Sequence, residues 1–268
     1  MKTNSLSLPG GGLSTSALKY LAAALMVLDH SHQMFYHMGA PLWLSMAGRM
    51  VFPLFLFTSA EGFAHTRSKG KYLARLGVGS AVMAAMTALL QQLIPNENVV
   101  LMNNAFSTFF VAGWYMLCWD VLTGSGPLGK RICKALALSL VPLLSALPLL
   151  AVAQLSTTDA VPLPLLRILI TLGLMIPSLP FCEGGPAMAA LGLAFYILRN
   201  HRLLQIGILL LLSGLTYIMG SGYQWMMGLA SLVMLLYNGQ RGHGSRRFFY
   251  IFYPAHIAVL YLLSCWIG

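Results

Sequence analysis

Two ionisable side chains stand side by side in an otherwise apolar run, Leu25-Met26-Val27-Leu28-Asp29-His30. A carboxylate and an imidazole can take up and release protons, or balance a cation. The stretch from Ala17 to Met38 is long enough to cross a bilayer. A charged side chain at the centre of such a helix costs roughly 2.5–3.5 kcal/mol on insertion scales, so an ionisable group there is a functional candidate by default. At helical spacing Asp29, Gln33 and Tyr36 share one side, while His30, Met34 and His37 share another, with His32 between. The second half of this segment is therefore polar around much of its circumference and must face protein or a wet cavity. His30, about twelve residues in, lies near mid-membrane. A structural role, an Asp/His pair tying helices together, is the alternative reading.

Further polar groups interrupt apolar segments. Arg49 precedes Pro53 in Gly48-Arg49-Met50-Val51-Phe52-Pro53-Leu54-Phe55, and an Arg at that depth needs a partner, for which Asp29 is the obvious choice. Pro53 removes a backbone donor and kinks the helix nearby. Thr58, Glu61 and His65 form one stripe toward the end of the same segment. Glu61 and His65 have metal-ligand spacing, but two groups are too few for zinc, and no metal is expected. His256 follows Tyr253 and Pro254 in the last segment, at a depth like that of His30. Glu183, before Gly184-Gly185-Pro186, suits a helix N-terminus.

The elements that must position these groups follow from composition. The 268 residues are 58% hydrophobic and 8% charged, where a soluble domain carries about 25% charged residues. The segments are too continuously apolar for barrel strands. The fold class expected is all-α: a polytopic integral membrane helix bundle of about ten apolar helices, with nine to eleven crossings or re-entrant segments. Residues 1–16 are expected to form a flexible cytoplasmic tail and residues 17–268 a single transmembrane domain. The net charge of +10 reflects basic loops that set topology, so the partner is a lipid bilayer and no nucleic acid is implied. Four scattered cysteines indicate neither disulfides nor zinc.

Apolar segments fall near 17–38, 43–64, 72–94, 104–123, 135–155, 164–181, 186–198, 203–220, 222–238 and 248–267. Basic loops at 65–71, 130–134, 199–202 and 240–247 flag the cytoplasmic side, whereas the loops around Glu97 and Asp159 are acidic or neutral. With the N-terminus inside, the first five segments obey this rule and then the parity fails. Segment 135–155 contains Pro142 and Pro148, and a split or re-entrant course there would repair it.

The blocks Leu25 to His30, Ala47 to Phe55 and Phe248 to Leu260 resemble the TraX family, as does the weaker Gly184 to Arg199 helix. The resemblance implies a membrane-bound acetyltransferase of the bacterial cytoplasmic membrane that uses acetyl-CoA as donor. The acceptor would be an amine or hydroxyl on an unknown peptide or small molecule, as in acetylation of a conjugative pilin N-terminus. A distant likeness to the acyltransferase-3 and heparan glucosaminide N-acetyltransferase families makes His30 the match for a membrane-buried catalytic histidine. On that reading His30 is the base, Asp29 pairs with Arg49 or raises a histidine's basicity, and His256 or Tyr253 donates to the oxyanion. The polyanionic end of CoA would rest on Arg67, Lys69, Lys71 and Arg75, beside a mouth formed by Glu61 and His65. Direct transfer and an acetyl-histidine intermediate both fit. A small-molecule or proton-coupled transporter is the alternative, since it too places Asp, His and Arg at mid-membrane. A scaffold whose buried charges only lock helices is a third.

Overall fold

Proline and capping residues decide where the apolar runs become separate helices. The computed structural model describes residues 11–157, 161–244 and 246–267. Asp159 and the first ten residues of the expected tail lie outside them. In chain order the helices are α1 Thr15–Phe35, α2 Trp43–Gly48, α3 Val51–Ala64, α4 Lys69–Leu93, α5 Ala105–Thr123 and α6 Leu128–Leu144. They continue as α7 Leu147–Leu155, α8 Leu163–Leu174, α9 Gly185–Ile197, α10 Arg202–Ile218, α11 Ala230–Leu235 and α12 Arg246–Ile267. Short 3-10 turns cover Tyr36–Met38 and Gln224–Leu229. Among the described residues there is no β-sheet, only one isolated bridge between Leu13 and Tyr237. The protein is an all-helical membrane bundle, as expected. Five helical stretches are long and apolar enough to cross a membrane: Trp43–Ala64, Lys69–Leu93, Ala105–Thr123, Leu128–Leu155 and Arg247–Ile267. The 21-residue α1 is set apart from these by its polar second half.

The chain forms two compact units. The first comprises residues 1–62, 94–100 and 194–268, so it holds α1, α2, most of α3, the end of α9, and α10 to α12. Within it α1 packs on α2 and α12, and α10 packs on α11 and the 224–229 turn. Leu18, Ala22, Met26, His30 and Met34 are all buried along α1. Their spacing of four residues makes one stripe, and His30 is its polar member. Ser14 caps α1 by accepting from the Ala17 N–H at 3.2 Å. Residues 13–16 of the expected tail are fixed. The Leu13, Thr15 and Ser16 N–H groups donate to the carbonyls of Leu236, Gln240 and Arg241, and the Asn238 N–H donates to Leu13. A helix start has amides with no partner inside the helix, and this strand-like passage supplies acceptors for them.

The second unit comprises residues 63–93 and 101–193. Here α4 packs on α5 and α8, α5 on α6, and α7 on α8. Asn104 caps α5 through its side chain, and the Glu183 carboxylate accepts from the Asn104 N–H at 2.6 Å. Glu183 therefore serves the N-terminus of α5. The expected split in segment 135–155 is present as the break between α6 and α7. Pro142 has no N–H to give to the carbonyl of Leu138. Trp114 fills the gap, its indole N–H donating to that carbonyl at 2.8 Å. At the break, the Ser145 hydroxyl donates to the Pro177 carbonyl at 2.9 Å, and the Leu179 N–H donates to Pro142 at 2.8 Å.

This substitution of a side-chain donor for a missing backbone donor makes Trp114 and Pro142 energetically coupled. Trp114→Phe should lower stability by about 1–3 kcal/mol through the stranded carbonyl. In a Pro142→Ala background, where the backbone N–H is restored, the same change should cost less. Thermal unfolding of the four proteins in detergent gives the coupling, and equal losses in both backgrounds would contradict it.

Candidate functional site

The first unit gathers Asp29, His30, Arg49, Tyr253 and His256 around the second half of α1. His30 Nδ1 lies 2.7 Å from His256 Nε2, and both histidines are buried, at 5% and 9% exposure. His256 Nδ1 lies 2.8 Å from the Phe252 carbonyl oxygen, with its ring parallel to that of Phe252 at 4.8 Å between centroids. A carbonyl oxygen only accepts, so His256 Nδ1 carries the proton. In the neutral ring Nε2 is then the acceptor, and His30 Nδ1 must donate to it. The remaining ring nitrogen of His30, Nε2, therefore bears the lone pair of a base. One backbone carbonyl thus fixes the tautomers of two imidazoles in series. The Tyr253 ring stands 6.4 Å from that of His30 between centroids.

Arg49 lies between α2 and α3, where helical bonding lapses. Pro53 cannot donate to the Arg49 carbonyl, and the two helices part at Arg49 and Met50. The side chain is held on three sides. Nη2 donates to Asp29 Oδ1 at 2.6 Å and to Ser45 Oγ at 3.0 Å, Nε donates to the Ser45 carbonyl at 3.1 Å, and Nη1 donates to Gln224 Oε1 at 3.2 Å. The Tyr223 ring lies 5.6 Å away. Ser45 Oγ also donates to Asp29 Oδ1 at 2.9 Å. The partner expected for Arg49 is thus the one it has, with side-chain exposures of 26% and 22% for Arg49 and Asp29. Gly48 makes the approach possible, because a Cβ there would occupy the space of the Asp29 carboxyl group.

Sequence reasoning missed Ser45, Gln224, Gly48 and the Phe252 carbonyl. Ser45 lies one turn before Arg49, a spacing at which it could have been found. Gln224 lies 175 residues from Arg49, and its role had no local signal. His37, on the His30 side of the helix, has both ring nitrogens buried with no partner among the described residues.

The residues expected to receive a donor cofactor are divided. Glu61 belongs to the first unit and lies within electrostatic reach of Arg202. The Arg202 guanidinium sits 4.3 Å and 4.7 Å from the Phe57 and Tyr237 ring centres. His65, Arg67, Lys69, Lys71 and Arg75 belong to the second unit. There Lys69 pairs with Asp120 at 2.9 Å and lies 4.0 Å over the Phe63 ring.

The arrangement, a paired arginine and a histidine relay on the first and last helices, runs through the three blocks that resemble TraX. The TraX protein family model matches residues 14–264. The chain belongs to the TraX family. Its similarity extends to a probable fimbrial assembly protein FimC, serogroup H1, from Dichelobacter nodosus. The two are 29% identical over 271 residues, covering 92% of this chain and 94% of that protein. No solved structure matches. This TraX-family chain is thus a helical membrane protein with a polar site built inside one unit.

Removing one member of the Arg49–Asp29 pair leaves the other charge without its partner. Arg49→Gln should destabilise the protein by about 3 kcal/mol, the lower end for a buried pair because both side chains are about a quarter exposed. The double change Asp29→Asn with Arg49→Gln should recover most of that loss. Melting temperatures in one detergent decide it, and additive losses would mean that the two charges do not depend on each other.

Proposed function

We propose that this TraX-family protein is an acetyl-CoA-dependent membrane acetyltransferase that acetylates an amine. The observation that carries the reading is the relay from the Phe252 carbonyl through His256 to His30. It fixes the direction of the basic nitrogen of a buried imidazole. General bases need a defined lone pair and a defined direction, and a tautomer locked from behind supplies both. The resemblance of the chain to a fimbrial assembly protein is compatible with a peptide acceptor.

The step balances as follows. The acceptor nitrogen attacks the thioester carbonyl carbon, and His30 Nε2 takes the proton that the nitrogen sheds. The C–N bond forms, the C–S bond breaks, and the thiolate of CoA takes the proton back from His30. His256 then acts as a positioning residue toward His30, a role different from the oxyanion donor first considered for it. Arg49 has one Nη1 hydrogen beyond those given to Asp29, Ser45 and Gln224, and it and the Tyr253 hydroxyl are the donors proposed for the oxyanion. Asp29 keeps Arg49 in place. The protein would sit in the bacterial cytoplasmic membrane with its N-terminus inside, drawing acetyl-CoA from the cytosol.

Incubating the purified protein with radiolabelled acetyl-CoA and a set of primary-amine acceptors tests this. His30→Ala should lower CoA release by about 10²–10⁴-fold, the range for loss of a general base, in protein that still unfolds cooperatively. A fully active His30→Ala protein would end the assignment. His256→Ala should lower the maximal rate while leaving the KM for acetyl-CoA in place. A changed KM with an unchanged rate would remove His256 from its positioning role.

A further inference from the structure

The segment from Asn238 to Gly244, Asn-Gly-Gln-Arg-Gly-His-Gly, does more than mark a basic loop. It is tied to the start of α1. The carbonyls of Gln240 and Arg241 accept from the Thr15 and Ser16 N–H groups, the Thr15 hydroxyl also donates to Gln240, and the Ser16 hydroxyl donates to Arg241. The Asn238 amide donates to Gly12 and its side-chain oxygen accepts from the Gln240 N–H. Gly239 and Gly242 have φ of 75° and 69°, the left-handed region that other residues rarely enter. A Cβ at Gly242 would collide with Ser14, and one at Gly244 with Ser16. The glycines thus let the loop lie flat on α1.

This anchoring has a directional result. With the Gln240 and Arg241 carbonyls spent on α1, the loop presents donors elsewhere. Among the described residues, no acceptor takes the N–H groups of Arg241, Gly242, His243 and Gly244, and all four residues are exposed. Successive backbone amides with a left-handed residue among them form an anion-binding concavity. The side chains agree in sign: Arg241 and Arg247 are exposed, and His243 lies between them in sequence. From Gly184 to the last residue the chain contains no Asp or Glu, so no carboxylate from the C-terminal third competes for these cations.

We infer that the exposed 241–244 backbone, together with the side chains of Arg241 and of Arg247 in the first turn of α12, holds the phosphate groups of the acyl-CoA donor. This rests on the acetyltransferase reading and moves the donor's polyanionic end from the 67–75 segment of the second unit to the unit that contains His30. Two observations favour the move. Lys69, in the 67–75 segment, already has Asp120 as its partner. The loop, by contrast, is bonded to the helix that carries His30. From Ser16 to His30 is fourteen residues, or about 21 Å along α1. That is a distance for an extended pantetheine arm to cover, with its thioester at the relay and its phosphates at the loop. Arg supplies paired donors to phosphate, and backbone amides supply the rest.

Calorimetric titration of the full-length protein in neutral-lipid nanodiscs with CoA gives the test. The Arg241→Gln/Arg247→Gln double variant should bind CoA at least tenfold more weakly, with a smaller dependence on salt. Gly242→Ala, which changes no charge, should also weaken binding by disturbing the cradle. Arg67→Gln/Lys71→Gln/Arg75→Gln should stay within twofold of the parent. Unchanged affinity in the double variant overturns the inference, as does a loss confined to the triple variant. Nanodiscs containing phosphatidylglycerol form a second arm. Loss of lipid binding in the double variant with intact CoA binding would make the loop a lipid-headgroup site and overturn the inference. A parent protein that binds CoA while the double variant does so equally well leaves the acetyltransferase reading standing. A parent that binds no CoA removes both.

Discussion

A polar group surrounded by hydrocarbon must find its partner within the protein, and this constraint orders the structure from loops to site. It explains why a tryptophan indole covers the carbonyl left open by Pro142. It explains why Arg49 is gripped by a carboxylate, a hydroxyl, an amide and a carbonyl at once. It also explains why His256 turns its Nδ1 back to its own helix. In each case a proline lies nearby: Pro142, Pro53 and Pro254. Each leaves the carbonyl four residues earlier without its helical donor, and at Pro142 a side chain, that of Trp114, takes the vacant place. The polar side chains and the helix-disfavouring prolines therefore lie together in the chain.

That feature separates what could be read from the sequence from what could not. Apolar length, basic loops and helix-breaking prolines gave the bundle, most segment limits to within a few residues, and a break within 135–155, but α6 starts seven residues before the expected limit and takes in the basic residues 130–134, and α8 ends seven residues short. The first-helix Asp29 and His30 and the Arg49 partner followed from the cost of burying charge, since so few acids exist to meet it. The direction of His256 did not follow. Its contact with His30 spans 226 positions, and its tautomer depends on a carbonyl, which carries no side-chain signature. Gln224 and Gly48 were hidden for similar reasons. One is a neutral residue that matters only through a distant arginine, and the other matters through the atom it lacks.

The TraX family match and the similarity to a fimbrial assembly protein both extend over nearly the whole chain. Asp29, His30, Arg49 and His256 all fall in the blocks that carry the resemblance. The second unit has its own polar junction, in which Glu183 and Asn104 organise the start of α5.

The bonding of the chain's beginning to its end sets an order of events in biosynthesis. The first helix emerges from the ribosome with its histidine unmatched, and it can acquire His256 and the 236–241 acceptors only after nearly every other residue has been made. Closing so long a loop draws little on chain entropy beyond that of a shorter one, but it postpones this pairing until α12 has been made. A product terminated before His256 would thus carry every earlier helix and still lack the histidine pair.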